Sequence, residues 1–204
     1  RKEIYEVIEE PAKMSDNNIS RRLLETLIDE LHEGFDQLPV LQHALNQVWQ
    51  KADKGEKEMD LIHLAKLSGL PVSYLPDDDR VAFRDWYKNV LIDNSDIRDV
   101  IEKDFSNPSL ENVLNTHANE LYNSAAKYYE KNHPESEKIF VEDSNQIIKT
   151  SFQCLTKIDA SRAVRIRMTL QEITNIINLP HITSEKVGGI LNIFREQGNT
   201  FISP

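Results

Sequence analysis

Cysteine, long apolar runs and catalytic signatures are all scarce in this chain of 204 residues. The single cysteine, Cys154, excludes an internal disulfide and a thiolate zinc cluster. No apolar run approaches the roughly 20 residues that a membrane span needs, and the first residues lack the apolar core of a signal peptide. We therefore expect a cytoplasmic globular protein without a membrane segment. The chain opens without methionine and ends abruptly at Pro204, so we expect an excised piece of a longer protein.

Sequence signatures of catalysis are absent as well. His32-Glu33 is not followed by the second histidine of a zinc protease, and neither Gly-x-Ser-x-Gly nor Gly-x-Gly-x-x-Gly occurs. The phosphate-binding loop Gly-x-x-x-x-Gly-Lys-Ser/Thr is also missing. The acidic run Asp77-Asp78-Asp79 is better explained as charge at a helix N-terminus than as a metal or acid–base site. The sequence therefore predicts a chain that is not an enzyme by itself and holds no metal.

Charge is unevenly distributed along the chain, whose formal net charge is -10. Residues 146–204 contain seven Lys and Arg against four Asp and Glu, which gives +3 and leaves -13 for residues 1–145. An acidic body argues against nucleic-acid binding by the whole chain, although a basic surface near the C-terminus remains open.

Apolar residues recur at helical spacing through most of the sequence, so the fold class is predicted to be mainly all-α. Asn18 or Ser20 is expected to cap a helix that carries Leu23, Leu24 and Leu27, and another helix begins around Pro39. Further N-terminal caps are predicted at the following residues: Asp60, Ser109, Thr169 and Thr183.

The C-terminal part is predicted to be a winged helix with short strands. Residues 163–167 alternate between apolar and basic side chains and predict one strand, and residues 200–202 predict the start of a second. The capping-box pattern of Thr169 and Glu172 predicts the start of a helix between these two strands. We expect a helical lid domain over residues 1–70, a helical insertion or connector over 71–108, and a winged-helix domain over 109–204 that is truncated in its wing.

The run from Asp36 to Leu45, Asp-Gln-Leu-Pro-Val-Leu-Gln-His-Ala-Leu, carries a resemblance to a known family. It resembles the lid motif of the STAND class of signalling ATPases, and of the bacterial novel STAND NTPases in particular. The segments 6–12, 23–31, 61–69, 117–122 and 165–173 resemble other parts of that family in the same order. The run lacks the glycine of the family's Gly-x-Pro element. The phosphate-sensing histidine of the family would lie beyond Pro204.

The resemblance implies a regulatory lid and winged-helix segment that closes over ATP or ADP and gates oligomerisation. It places Leu38, Pro39 and Gln42 against the nucleotide, and Arg165 and Arg167 near phosphate or an acidic core surface. The same proline is equally well explained as an ordinary first-turn residue. The resemblance further implies that Mg²⁺ and most nucleotide contacts belong to a P-loop ATPase core upstream, that sensor domains follow downstream, and that the chain self-associates.

Two other functions compete with this interpretation. A winged-helix DNA-binding transcriptional regulator would use the helix from Thr183 to Gln197 for recognition, but that helix offers only Lys186 and Arg195, with acids beside them. A helical scaffold without any ligand would require Pro39 for stability alone.

Overall fold

The computed structural model describes residues 5–6, 8–10, 12, 18–31, 38–93, 102–103, 105–106, 108–133, 138–159, 162–196, 199 and 201–202. Within these residues the protein is mainly helical, as predicted. The chain forms two compact units, residues Arg1–Glu120 and Leu121–Pro204. No described helix combines the length and apolar character that crossing a bilayer requires. The predicted division at residues 70 and 108 stays a prediction.

Four helices of the first unit have described bounds that lie wholly within it. They are α1 (Arg21–Glu30), α2 (Leu38–Lys51), α3 (Leu61–Ala65) and α4 (Asp77–Asp93). Short 3-10 turns cover Asp53–Gly55 and Val72–Tyr74. Ser20 caps α1 and Asp60 caps α3, which confirms both predicted caps. Three aspartates open α4, where the helix dipole favours negative charge.

The core of the first unit brings together distant parts of the sequence. Leu23, Leu41 and Leu64 are at most 2% exposed, and they pack in one cluster with residues from the predicted insertion. Leu75 is 1% exposed and belongs to this cluster. The predicted insertion of residues 71–108 therefore contributes to the same core as the predicted lid.

Helix α5 (Leu110–Asn132) begins in the first unit and ends in the second. Ser109 Oγ accepts a hydrogen bond of 3.0 Å from the Asn112 N–H, which confirms that cap. The second unit continues with α6 (Val141–Cys154), β1 (Thr156–Asp159), β2 (Arg162–Arg165), α7 (Leu170–Ile177) and α8 (Ser184–Ile193). Thr169 and Thr183 cap α7 and α8 as predicted.

The two strands form an antiparallel hairpin in which Thr156 pairs with Arg165 and Asp159 with Arg162. The strand predicted over residues 163–167 thus lies at 162–165, and the sequence analysis missed its partner β1. The strand predicted at residues 200–202 was wrong for its described residues. Phe201 and Ile202 form a bend, and both of their N–H groups bond to the carbonyl oxygen of Phe194. A helix–hairpin–helix–helix order is present, and the winged helix stays a prediction.

Of the adjacent glycines Gly188 and Gly189 in α8, Gly189 allows close packing against α5. A Cβ atom on Gly189 would lie 2.4 Å from Cε2 of Tyr129 in α5. Tyr129 is 2% exposed, and its ring stacks on His133 with centroids 3.9 Å apart. Cys154 is half-buried beside the second core.

Candidate functional site

Helix α2 has a buried side and an exposed N-terminal start. Leu41, Ala44 and Val48 lie on its buried side, each at most 2% exposed. The predicted nucleotide contacts Leu38 and Gln42 are exposed, and so is Pro39 between them. Leu38 keeps 42% of its surface exposed, although it is a large apolar residue in the first helical turn. The structure therefore brings all three predicted residues together at one end of one helix.

The start of α2 offers two kinds of contact to a ligand. Leu38 and Pro39 provide an apolar edge against which a flat ring can pack, and the Gln42 amide can donate and accept hydrogen bonds. The first N–H groups of a helix have no partners within it, and the helix dipole places partial positive charge there. These residues form one exposed surface at the start of α2, which can contact one face of a ligand but cannot enclose it.

The predicted phosphate contacts belong to the second unit. Arg167 is exposed in the segment between β2 and α7. The backbone of Arg165 belongs to β2, and its side chain lies outside the described part of the structure. Among the residues that the structure describes, no group of three or more His, Cys, Asp or Glu side chains is arranged to hold a metal ion.

Behind the exposed start of α2 lies a buried pair of histidines. His43 follows Gln42 directly and is 9% exposed, and His117 in α5 is 8% exposed. Nδ1 of His117 and Nε2 of His43 are 3.1 Å apart, a hydrogen-bond distance. Burial lowers the pKa of His43, so the neutral imidazole is favoured. Gln47 and Thr116, one turn or less away along the two helices, are buried as well.

The sequence did not predict this histidine pair, because each residue was recognised only as part of a separate motif. The two residues are 74 positions apart, and no local pattern links them. The available signal was that both histidines occupy the apolar stripe of their helices. A polar side chain on such a stripe needs a buried partner.

A group of polar contacts around Asp60, the Asp60 junction, links helices α1, α3 and α4. Asp60 accepts hydrogen bonds from Ser20, from the Leu61 N–H and from Arg22, whose Nε lies 2.6 Å from Oδ1. Arg22 also reaches Asp79 in α4, with Nη2 3.1 Å from Oδ2. Burial alone would raise the pKa of Asp60, but the hydrogen bonds from Arg22 and Ser20 outweigh it and lower this pKa. This junction is structural, because its acceptors are occupied by protein donors.

Comparison with known proteins locates the resemblance in the N-terminal third of the chain. Residues 1–73 match the model of the family Novel STAND NTPase 1. Comparisons with curated proteins and with solved structures gave no match. The matched residues include α1, α2, α3 and the exposed start of α2. Over residues 1–73 the chain is therefore similar to a STAND-class NTPase, as the run from Asp36 to Leu45 predicted.

Proposed function

We propose that this chain is the regulatory lid and winged-helix segment of a STAND-type ATP-binding signalling NTPase. It covers the nucleotide, gates oligomerisation and performs no catalysis alone. The observation that supports this function most is the exposed face of Leu38, Pro39 and Gln42 at the start of a helix whose other side is buried, within the residues that match the family. Leu38, an apolar residue left 42% exposed in the first helical turn, offers a surface that a ligand can cover.

The phosphate cradle and the Mg²⁺ ligands belong, in this proposal, to a P-loop core elsewhere in the natural protein. The sequence of the present chain contains no Gly-x-x-x-x-Gly-Lys-Ser/Thr loop. When bound, Mg-ATP or ADP supplies the phosphate charge that favours one arrangement of lid and core over another. A nucleotide shifts such an equilibrium only if it contacts the two arrangements unequally. Leu38 and Gln42 provide unequal contacts if the nucleotide touches them in one arrangement only.

The first test introduces a negative charge at Leu38, in the exposed start of α2, in the natural full-length protein. Leu38→Asp keeps the helix stable, because a carboxylate in the first turn favours the helix dipole, but it repels phosphate. We expect at least about tenfold weaker retention of a fluorescent ADP analogue, which is about 1.4 kcal/mol of binding free energy. Gln42→Ala should speed release of the analogue in the same direction.

The matched control is Lys51→Ala, which changes an exposed residue at the opposite end of the same helix. Release from this variant should equal that of the unmodified protein. The proposal is wrong if Leu38→Asp and Gln42→Ala retain the analogue as well as Lys51→Ala does.

The purified 204-residue chain provides a second test. It should release no phosphate from ATP, and it should bind nucleotide only weakly, because one wall buries little ligand surface. Steady phosphate release from contaminant-free protein, or micromolar affinity by titration calorimetry, contradicts these expectations.

The DNA-binding alternative gains no support from the surface of α8. Its exposed and half-buried side chains include Glu185 beside Lys186, so the helix presents charges of both signs. A gel-shift titration at low salt separates the two functions, because a regulator must bind DNA there and a nucleotide lid need not.

A further inference from the structure

The two histidines that meet in the first core join two helices with different roles. His43 belongs to α2, whose start carries the exposed face of Leu38, Pro39 and Gln42. His117 belongs to α5, which begins in the first unit and continues into the second. Their ring nitrogens are 3.1 Å apart and the ring centroids 5.1 Å apart, with the planes inclined by 31°. Both nitrogens can take part in one bond if one ring donates and the other accepts.

The position of His43 around the helix makes this bond sensitive to the rotation of α2. Successive residues turn by about 100°, so His43 lies about 40° around the helix from Pro39 and about 100° from Gln42. It is buried while both of these residues are exposed. His43 therefore lies at the boundary between the buried and the exposed sides of α2. A hydrogen bond at this boundary fixes which residues of α2 are exposed.

His117 lies close to the point at which α5 passes from one unit to the other. The division between the units falls between Glu120 and Leu121, three residues after His117. Beyond it, Leu121, Ala125 and Tyr129 of the same helix are buried in the second core. The same helix therefore contributes buried side chains to both cores.

We propose that the His43–His117 hydrogen bond is a positioning contact, through which α5 sets the orientation of α2 and thereby controls how long the nucleotide is held. The inference rests on the proposed function and adds a route by which the second unit regulates the nucleotide face. His43 and His117 are positioning residues that do not themselves touch the nucleotide. The His43–His117 hydrogen bond forms when Leu38 and Gln42 are exposed, and the loss of this bond allows α2 to rotate.

Amide side chains allow the bond to be kept without the imidazoles. In asparagine the amide nitrogen occupies the place of a histidine Nδ1, and in glutamine it occupies the place of Nε2. His117→Asn and His43→Gln therefore preserve the contact, whereas His117→Leu removes it and fills the space. We expect His117→Leu to release the fluorescent ADP analogue from the natural full-length protein about tenfold faster. The Asn and Gln variants should stay within about twofold of the unmodified protein.

A third buried histidine in the same unit, His63, supplies the control. His63 is 7% exposed, and its Nδ1 accepts a hydrogen bond of 3.0 Å from the Asp60 N–H at the start of α3. His63→Leu should lower the stability of the first unit without touching the His43–His117 pair. Nucleotide release should then stay within about twofold of that of the unmodified protein.

Three results overturn the inference. They are unchanged release in His117→Leu, equally fast release in His63→Leu, and release in His117→Asn that is as fast as in His117→Leu. If His117→Leu does not fold, His117→Gln replaces it, because its amide lies one bond farther from the backbone and misses the contact. If Leu38→Asp leaves release unchanged, the proposed function fails and this inference fails with it. If Leu38→Asp speeds release and His117→Leu does not, only the inference fails.

Discussion

Ser20 donates a hydrogen bond through its Oγ to Oδ1 of Asp60, at 2.5 Å, across 40 residues of sequence. Each of the two residues is the N-cap of a helix, Ser20 of α1 and Asp60 of α3. A parallel bridge between Ile19 and Met59 joins the adjoining backbone. The starts of α1 and α3 are therefore stabilised together, and the loss of one cap weakens the other.

Asp60→Ala should be the most damaging single change at this junction. It removes the cap of α3, the partner of Ser20 and the main partner of Arg22 at once. We expect the free energy of unfolding of the first unit to fall by about 2–3 kcal/mol. Both tryptophans of the chain, Trp49 and Trp86, lie in this unit, so urea unfolding followed by tryptophan fluorescence measures it selectively.

The control for this change is Asp85→Ala in α4. Asp85 is exposed, and its ion pair with Lys88 spans 4.0 Å from Nζ to Oδ1. An exposed pair of this kind contributes at most about 0.5 kcal/mol. Equal losses in the two variants contradict the structural importance of the junction.

Gly189→Ala should destabilise the second unit by about 1–2 kcal/mol. The new methyl group overlaps the buried ring of Tyr129, and the helix propensity of alanine offsets only part of that cost. The adjacent Gly188→Ala meets only Cδ1 of Leu170, at 3.1 Å, and Leu170 is exposed enough to move. It should be neutral or stabilising by up to about 1 kcal/mol. Hydrogen exchange of peptides from α7 and α8 measures both effects, and identical protection in the two variants contradicts the packing argument.

Ser151→Ala should stabilise the second unit. Ser151 in α6 is fully buried, and its Oγ has no hydrogen-bond partner within the part of the chain that the structure describes. Removal of an unsatisfied hydroxyl should raise the free energy of unfolding by about 1 kcal/mol. Thr183→Ala removes the cap of α8 and should lower it by about 1 kcal/mol. Thermal unfolding followed by circular dichroism tests whether the two changes have opposite signs.

The first unit should lose stability as the pH falls below neutrality. Burial lowers the pKa of His43, and burial together with Lys66 lowers the pKa of His63. The unfolded chain then binds more protons than the folded one below about pH 6.5, so the free energy of unfolding decreases as the pH falls. The paired carboxylate of Asp60 has a lowered pKa and contributes its own loss only at more acidic pH. The interval from pH 7.5 to 5.5 therefore isolates the histidines.

Substitution of His43 and His63 by glutamine should reduce the pH dependence of the free energy of unfolding. Urea unfolding at pH 7.5, 6.5 and 5.5, followed by tryptophan fluorescence, gives the slope for each protein. A slope that is unchanged in the double variant, or a stability that increases toward pH 5.5, shows that these imidazoles are not responsible.

Local chemistry made the helix starts predictable from the sequence. Ser20, Asp60 and Thr169 each bond to backbone only one to three residues away, so the pattern that defines a cap is contained in a few letters. The exposed face of Leu38 and Gln42 also follows from helical periodicity once α2 is recognised.

Contacts between distant segments could not be predicted in the same way. The His43–His117 pair depends on how α2 and α5 pack, and neither motif contains that information. Strand β1 was missed because the apolar spacing of α6 continues to Leu155 and the strand that follows has only four residues. Phe201 and Ile202 resemble a strand in composition, but their N–H groups bond to the oxygen of Phe194 at the end of α8.

The passage of α5 through both cores decides how the protein can be divided. A recombinant second unit that begins at Leu121 would start in the middle of a helix, without the Ser109 cap. One that begins at Ser109 would expose Leu110 and Val113, which are buried in the first core. Neither boundary yields a clean excision, so limited proteolysis should find no cleavage site within α5, and the two halves are best studied joined.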